Sequence, residues 1–338
     1  MLLMEHPRRL STDIDIIVEP GTDLDDYLDK ASAIFPFRSV DEQKQIGKNN
    51  IEKRHFKFTY DSPINNKPFY ILLDVLFEEN HYAELVSKNI DNELLLTEPE
   101  YLSVQIPSPD CILADKLTAF APHTTGIRLN DGKDMEVMKQ LYDVCSLIEI
   151  FADCEKVMET YIPIAEAELA YRGLDRTPTD CLWDTFHASL CIASRGKAGA
   201  DEYPIYVKGI RDLRGHIYSE NYSPEIAAGR CADVMYLVMC LLTGKQFTPV
   251  EDEHNRYNTE TNRRYADMID YYGIGLPDRS PQLTDGKSRP YTIQFLDVRY
   301  TFDRKPHRPE RREHSILPPL FGIPPPNPGA CFRSTVTE

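Results

Sequence analysis

The string Arg9-Leu10-Ser11-Thr12-Asp13-Ile14-Asp15-Ile16 holds the residues best suited to chemistry. On an extended strand, residues two apart share a face, so Asp13 and Asp15 project together. Two adjacent carboxylates repel, and each raises the other's pKa unless a cation lies between them. A hard divalent ion with oxygen ligands removes that conflict, and magnesium in addition holds triphosphate oxygens. An Asp-x-Asp pair alone is also an ordinary feature of surface loops. Asp74 adds to it, as the sole charged residue within Phe69–Phe77 (FYILLDVLF). A carboxylate in such a strand is costly unless paired, hydrogen-bonded or bound to metal. Either it joins the Asp pair as a third acid, a metal platform for displacement at phosphorus, or it marks an exposed strand end or bonds a local backbone amide.

These acids need strands to carry them and helices to close the site. Residues Leu10–Val18 read as a strand ending at Pro20-Gly21. A helix follows over Asp23–Phe35, with Leu24, Leu28, Ala31 and Phe35 at helical spacing and Asp23 as its cap. Arg38–Lys53 is a polar stretch rich in Lys, Gln and Asn. Phe56, Phe58 and Tyr60 alternate with polar residues and face the apolar Phe69–Phe77 across a turn rich in Asn and Pro. From Ser108-Pro109-Asp110 the pattern becomes helical, stopped by Pro122 and resumed over Lys133–Phe151, Val157–Leu169, Cys181–Ala193 and Pro224–Leu242. A polar helix candidate covers Glu251–Tyr272. Residues 281–338 hold ten of the 25 prolines and carry about +3 net charge, against about −19 for the rest. Apart from a strand-like island at Tyr291–Tyr300, that composition predicts disorder, with a Pro-rich docking motif as a further option.

The motifs together resemble the AbiEii/AbiGii nucleotidyltransferase toxins. Arg9-Leu10-Ser11-Thr12-Asp13-Ile14-Asp15 is similar to that family's R-[FL]-S-x-D-[IL]-D signature. Ala114-Asp115-Lys116-Leu117-Thr118-Ala119 resembles its A-x-K-L-x-A motif, and Lys139-Gln140-Leu141-Tyr142-Asp143 its K/R-D-L-Y-D motif. Order and spacing match over roughly residues 8–150. The resemblance implies Asp13, Asp15 and Asp74 as magnesium ligands, Lys116 as a triphosphate contact and Asp143 as a further acid of the site. Ser11 either bonds a phosphate or sets the start of the strand. Lys116 also reads as a surface lysine beside Asp115, and Asp143 as a cap or surface ion pair. The family's Gly-Gly-[Ser/Thr] turn, whose amides hold phosphates, has no counterpart, because the first glycine is Gly21. The expectation is a catalytic domain that is incomplete at its N-terminus.

Composition narrows the function classes. A net charge of −16 argues against sequence-independent binding to a long nucleic acid. A local basic patch of Arg8, Arg9, Lys53, Arg54 and Lys57 leaves room for a small or short nucleic-acid acceptor. The eight cysteines lack a C-x-x-C pair and read as buried free thiols. No apolar run approaches a membrane span and no signal peptide is legible, which predicts a cytoplasmic protein. His187 reads as a core or boundary residue, His216 as an exposed turn residue. Zincin, P-loop and dinucleotide motifs are absent.

The fold expected is α/β. A small mixed-sheet nucleotidyltransferase core spans 1–107, a helical domain 108–275 and a disordered tail 281–338. By the resemblance, the activity would be transfer of a nucleoside monophosphate from a nucleoside triphosphate to an acceptor hydroxyl, of RNA such as tRNA, by a toxin under control of an antitoxin. The alternatives are a catalytically dead truncated remnant serving as a protein-binding module, and a small-molecule nucleotidyltransferase.

Overall fold

Among the described residues, a strand-rich first part carrying a single helix gives way to helices from residue 109 onward. A computed structural model describes residues 2–9, 11, 13–43, 52–95 and 97–248. All lie in a unit spanning Met1–Asp297. The expected helix at Glu251–Tyr272, the island at Tyr291–Tyr300, the Pro-rich tail and Cys331 fall outside the described residues.

Four strands form one mixed sheet: β1 (Asp13–Val18), β2 (Phe37–Gln43), β3 (Glu52–Asp61) and β4 (Pro68–Phe77). Their order is β1-β4-β3-β2, with β1 parallel to β4 and the other pairs antiparallel. The period of two gives this sheet two chemically different faces. Phe56, Phe58, Val75 and Phe77 are buried on one face with Leu24, and Leu28 and Ala31 of α1 (Asp25–Ser32) pack against them. Asp13, Asp15, His55 and Asp74 therefore fall on the other. A second, two-stranded sheet pairs β5 (Leu85–Asn89) with β6 (Ser103–Pro107).

Six helices follow: α2 (Pro109–Ala119), α3 (Asp134–Leu147), α4 (Cys154–Arg172), α5 (Pro178–Ala193), α6 (Tyr203–Leu213) and α7 (Pro224–Thr243). Ser108 caps α2 and Ser223 caps α7 through their side chains, while Thr177 and Asp180 form a reciprocal capping box on α5. Their apolar faces share one core built around Leu113, Leu117, Met138, Leu141, Phe186, Met235 and Leu237. At Gly209 a Cβ would meet the Asp134 carbonyl oxygen at 2.1 Å, so α6 approaches α3 as closely as only glycine permits.

Several expectations need correction. The polar stretch Arg38–Lys53 carried no expected element, yet its first part lies in β2, a strand at the edge of the sheet. Edge strands carry charge to deter further pairing, and an irregularity between Phe37 and Ser39 brings Phe37 and Val40, three residues apart, to the same core without strict alternation. Strands β5 and β6 and helix α6 had no anticipated counterpart. Asp23 is not the cap of α1; Leu24 occupies that position, and the Asp23 carboxylate accepts the Asp25 amide at 3.0 Å. Helix α7 is, by length and composition, long and apolar enough to cross a membrane, contrary to the sequence reading. Twelve of its residues are buried in the helical core, and it is apolar because the core surrounds it. Seven cysteines are free and buried, as expected.

Candidate active site

Strand register assembles the acids. Asp15 on β1 pairs with Asp74 on β4, and Asp74 pairs with His55 on β3. Asp13 lies one alternation step along β1, level with Leu72. The three carboxylates thus rise from one face of neighbouring strands.

Helices α2 and α3 supply the cations. Lys116 of α2 sits 3.2 Å from Asp115, and Lys139 of α3 lies 3.9 Å from Asp13. The charge of Asp115 raises the pKa of Lys116, burial opposes this, and Asp143 and Asp15 add to the rise. Lys116 therefore stands within the fields of both Asp15 and Asp143, rather than on an outer helix face. Asp15 is itself held above the ordinary carboxylate range by burial, with Asp74 and Asp13 pushing it further and Lys116 opposing. Tyr82, just past β4, is raised by burial and by the charges of Asp115, Glu78 and Asp15.

Arg9 ties these elements together. Its guanidinium grips Asp143 through two hydrogen bonds, Nε to Oδ1 at 2.6 Å and Nη2 to Oδ2 at 2.5 Å. The residue before it, Arg8, is paired with Glu149 at the end of α3. A β-bridge from Arg9 to Ile217 and the packing of Leu3 on the helical core fix the same segment from behind. The segment leading into β1 is thereby locked to α3, which carries Lys139. Asp143 was expected as an acid of the site; it is near Lys116, but its carboxylate is engaged by Arg9. Bidentate pairing favours a structural tie, since both oxygens are spoken for.

The remaining expectations resolve individually. The Ser11 hydroxyl donates to the Asp13 main-chain oxygen at 3.4 Å. Of the presumed basic patch, Lys53 and Lys57 share the acid face. Arg54 lies on the opposite face, bonded to Glu42 and Asp25, and Arg8 and Arg9 are ion-paired. His187 packs edgewise and tilted against Phe186 and Trp183, with its pKa lowered by burial, and His216 ends an exposed turn. The sequence reading missed His55, whose Nδ1 lies 2.7 Å from Asp74 Oδ1. The alternation of Phe56 and Phe58 put His55 on the opposite face, but only the β3–β4 register brings it beside Asp74. Lys139, quoted as a motif letter, was not expected at Asp13.

Among the described residues, no three Asp, Glu, His or Cys side chains converge closely enough to enclose a metal ion. Two of the acids turn instead toward a base: Asp74 toward His55 and Asp13 toward Lys139. The donor set nevertheless suits a hard divalent cation, being carboxylate oxygen throughout. The upward push that Asp13 and Asp74 exert on Asp15 is the repulsion such a cation relieves.

A family profile described as nucleotidyl transferase AbiEii toxin, type IV toxin–antitoxin system, matches residues 1–219. The chain belongs to this AbiEii family. The matched span contains the acid face of the sheet, Lys116, Lys139 and the Arg9–Asp143 tie. Among solved structures, JHP933 from Helicobacter pylori is similar at 12% identity and a TM-score of 0.36, covering 69% of this chain and 76% of its own. No curated protein sequence matches significantly.

Proposed function

We propose that this AbiEii-family chain transfers a nucleoside monophosphate from a nucleoside triphosphate to an acceptor hydroxyl of RNA. What supports the reading is the register of Asp15 against Asp74, with Lys116 and Lys139 brought to the same face from α2 and α3. Asp13, Asp15 and Asp74 would hold magnesium, which when bound supplies Lewis-acid polarisation of the triphosphate. Lys116 and Lys139 act as mobile point charges on the phosphate oxygens, a role lysine fills where arginine would demand fixed geometry. The acceptor oxygen bonds to the α-phosphorus, the bond to the β-phosphate oxygen breaks, pyrophosphate leaves, and the hydroxyl proton is lost to the acidic cluster. His55 orients Asp74 through the 2.7 Å contact, and the Arg9–Asp143 tie keeps β1 at its distance from α3.

The toxin–antitoxin assignment of the family makes an antitoxin the natural controlling partner. The test is incubation of the chain with each labelled nucleoside triphosphate, magnesium and total RNA. Label should enter RNA with wild type and not with Asp13→Asn/Asp15→Asn. Label confined to small molecules would move the reading to a small-molecule transferase. No labelling with any nucleotide and acceptor would leave a protein-binding remnant.

A further inference from the structure

The acid face does not end at the acids. Four residues before Asp74 on β4, and on the same face, stands Tyr70, 42% exposed. At about 3.3 Å per residue its ring lies about 13 Å along the strand from Asp74. It is also two residues beyond Leu72, which is level with Asp13. Lys57, on the same face of β3, places its Nζ 4.5 Å from the centroid of the Tyr70 ring. Lys53 and His55 complete a row of nitrogen-bearing side chains along this strand face. Asp41 on β2 is the register partner of Lys57, but its carboxylate accepts the Ser39 hydroxyl at 3.0 Å.

We propose that Tyr70 and Lys57 form a stacking platform for a single-stranded polynucleotide whose acceptor hydroxyl lies at Asp13, Asp15 and Asp74. An exposed aromatic ring accepts any base by stacking, and a neighbouring lysine accepts the phosphate, the pairing used in single-strand grooves. The exposed cation–π contact between Lys57 and Tyr70 is weak, so a phosphate readily draws the ammonium away and bares the ring. The distance decides the guest. A group about 13 Å from the acids cannot touch the reacting hydroxyl or the α-phosphate, so it serves an upstream nucleotide of a polymer. A small-molecule acceptor would have no use for it. The overall charge of −16 is compatible, because the platform needs a few local cations and a ring rather than a basic surface.

The proposal rests on the transferase reading only for the position of the acceptor hydroxyl. Its test is therefore a binding measurement without triphosphate: fluorescence anisotropy of labelled mixed-sequence single-stranded RNA, single-stranded DNA and duplex RNA. Tyr27 on α1, 70% exposed with Lys30 Nζ 5.9 Å from its ring, is the control on the other face of the sheet. Tyr70→Ala should weaken single-strand binding about tenfold, Tyr70→Phe should retain it, and Tyr27→Ala should leave it unchanged. Lys57→Gln should lower the slope of log affinity against log salt by about 0.7. Equal weakening for RNA and DNA means the platform reads stacking alone, and preference for RNA adds a 2′-hydroxyl contact elsewhere; either result supports it. No single-strand binding by wild type, equal affinity for duplex, a Tyr70→Ala effect under twofold, or an equal loss with Tyr27→Ala would overturn it. Binding that depends on Tyr70 in a chain that labels no acceptor would sink the transferase reading and leave the platform standing.

Discussion

Two histidine–aspartate pairs in this chain have the same 2.7 Å contact and opposite surroundings. His55 meets Asp74 on the acid face of the sheet, where the Asp74 side chain keeps 41% of its exposure. His123 meets Asp184, which is buried to 5%, in the loop between α2 and α3. Asp184 also accepts the His123 main-chain amide and the Thr124 hydroxyl, each at 2.8 Å. Glu202 of α6 takes the other ring nitrogen of His123 at 2.8 Å. The carboxylate of Asp184 ties α5 to the α2–α3 loop through three contacts, and His123 carries the link on to Glu202 at the start of α6. The carboxylate of Asp74 faces outward beside two others. Contact distance thus says little about role; exposure and the number of donors around the acid separate a clamp from a site.

The comparison breaks most visibly in activity. Asp15→Asn or Asp74→Asn should lower nucleotide transfer by about a thousandfold or more, the scale expected when a metal-holding acid is lost. The same measurement on Asp184→Asn should show little beyond the fraction unfolded. Comparable activity loss from the two acids, after correction for folding, would erase the distinction.

Stability should show the reverse order. Asp184→Ala strands the His123 amide, its ring and the Thr124 hydroxyl, and should cost about 3 kcal/mol in urea unfolding. Asp74→Asn should change stability by less than about 1 kcal/mol, or raise it, because it removes one of three mutually repelling carboxylates.

A smaller effect separates the pairs by pH. Burial pulls the His123 pKa down, but hydrogen bonds to Asp184 and Glu202 outweigh it and raise the group to about 10. A pKa raised on folding contributes stability that is full below the unfolded value near 6.5 and fades as pH climbs toward 10. The urea midpoint should therefore fall between pH 7 and 10 in wild type and fall less in His123→Gln. The ring is half exposed, so solvent screening keeps the slope shallow. An unchanged slope in the variant would show that the clamp does not hold a charged imidazole. The least effect belongs to His55→Gln, with urea stability within about 0.5 kcal/mol of wild type.

Legibility of the sequence followed how local the determining physics is. Helices α2, α3, α5 and α7 were found near their observed bounds because apolar spacing acts within one or two turns, although the Thr177–Asp180 capping box that opens α5 was not read. Strand β4 was legible from an apolar run and β3 from alternation. Strands β2, β5 and β6 were not, since short strands with charged or exposed residues owe their pairing to partners distant in sequence. Asp13, Asp15 and Asp74 stood out as acids in apolar or β-branched company. His55 did not, because nothing within β3 says which residue of β4 it will face. Asp143 shows the converse: its motif marks it as part of the site, while the bond to Arg9 is formed across 134 residues.

What the sequence determined by itself was the local repertoire: an Asp pair on a strand, a solitary acid in an apolar strand, helices that begin at Ser and Thr caps, and the motif order of the AbiEii family. What only the tertiary structure decided was which of these meet. Register set Asp15 against Asp74 and His55, the Arg9–Asp143 tie set β1 against α3, and the parting of the two sheet faces sent Arg54 away from the acids and Lys57 toward them. The reason is that side-chain type and strand alternation are properties of a few neighbouring residues, whereas register and packing are chosen by the whole hydrophobic core at once. A shift of one residue in β3 would turn Phe56 and Phe58 into solvent and carry His55 to the wrong face.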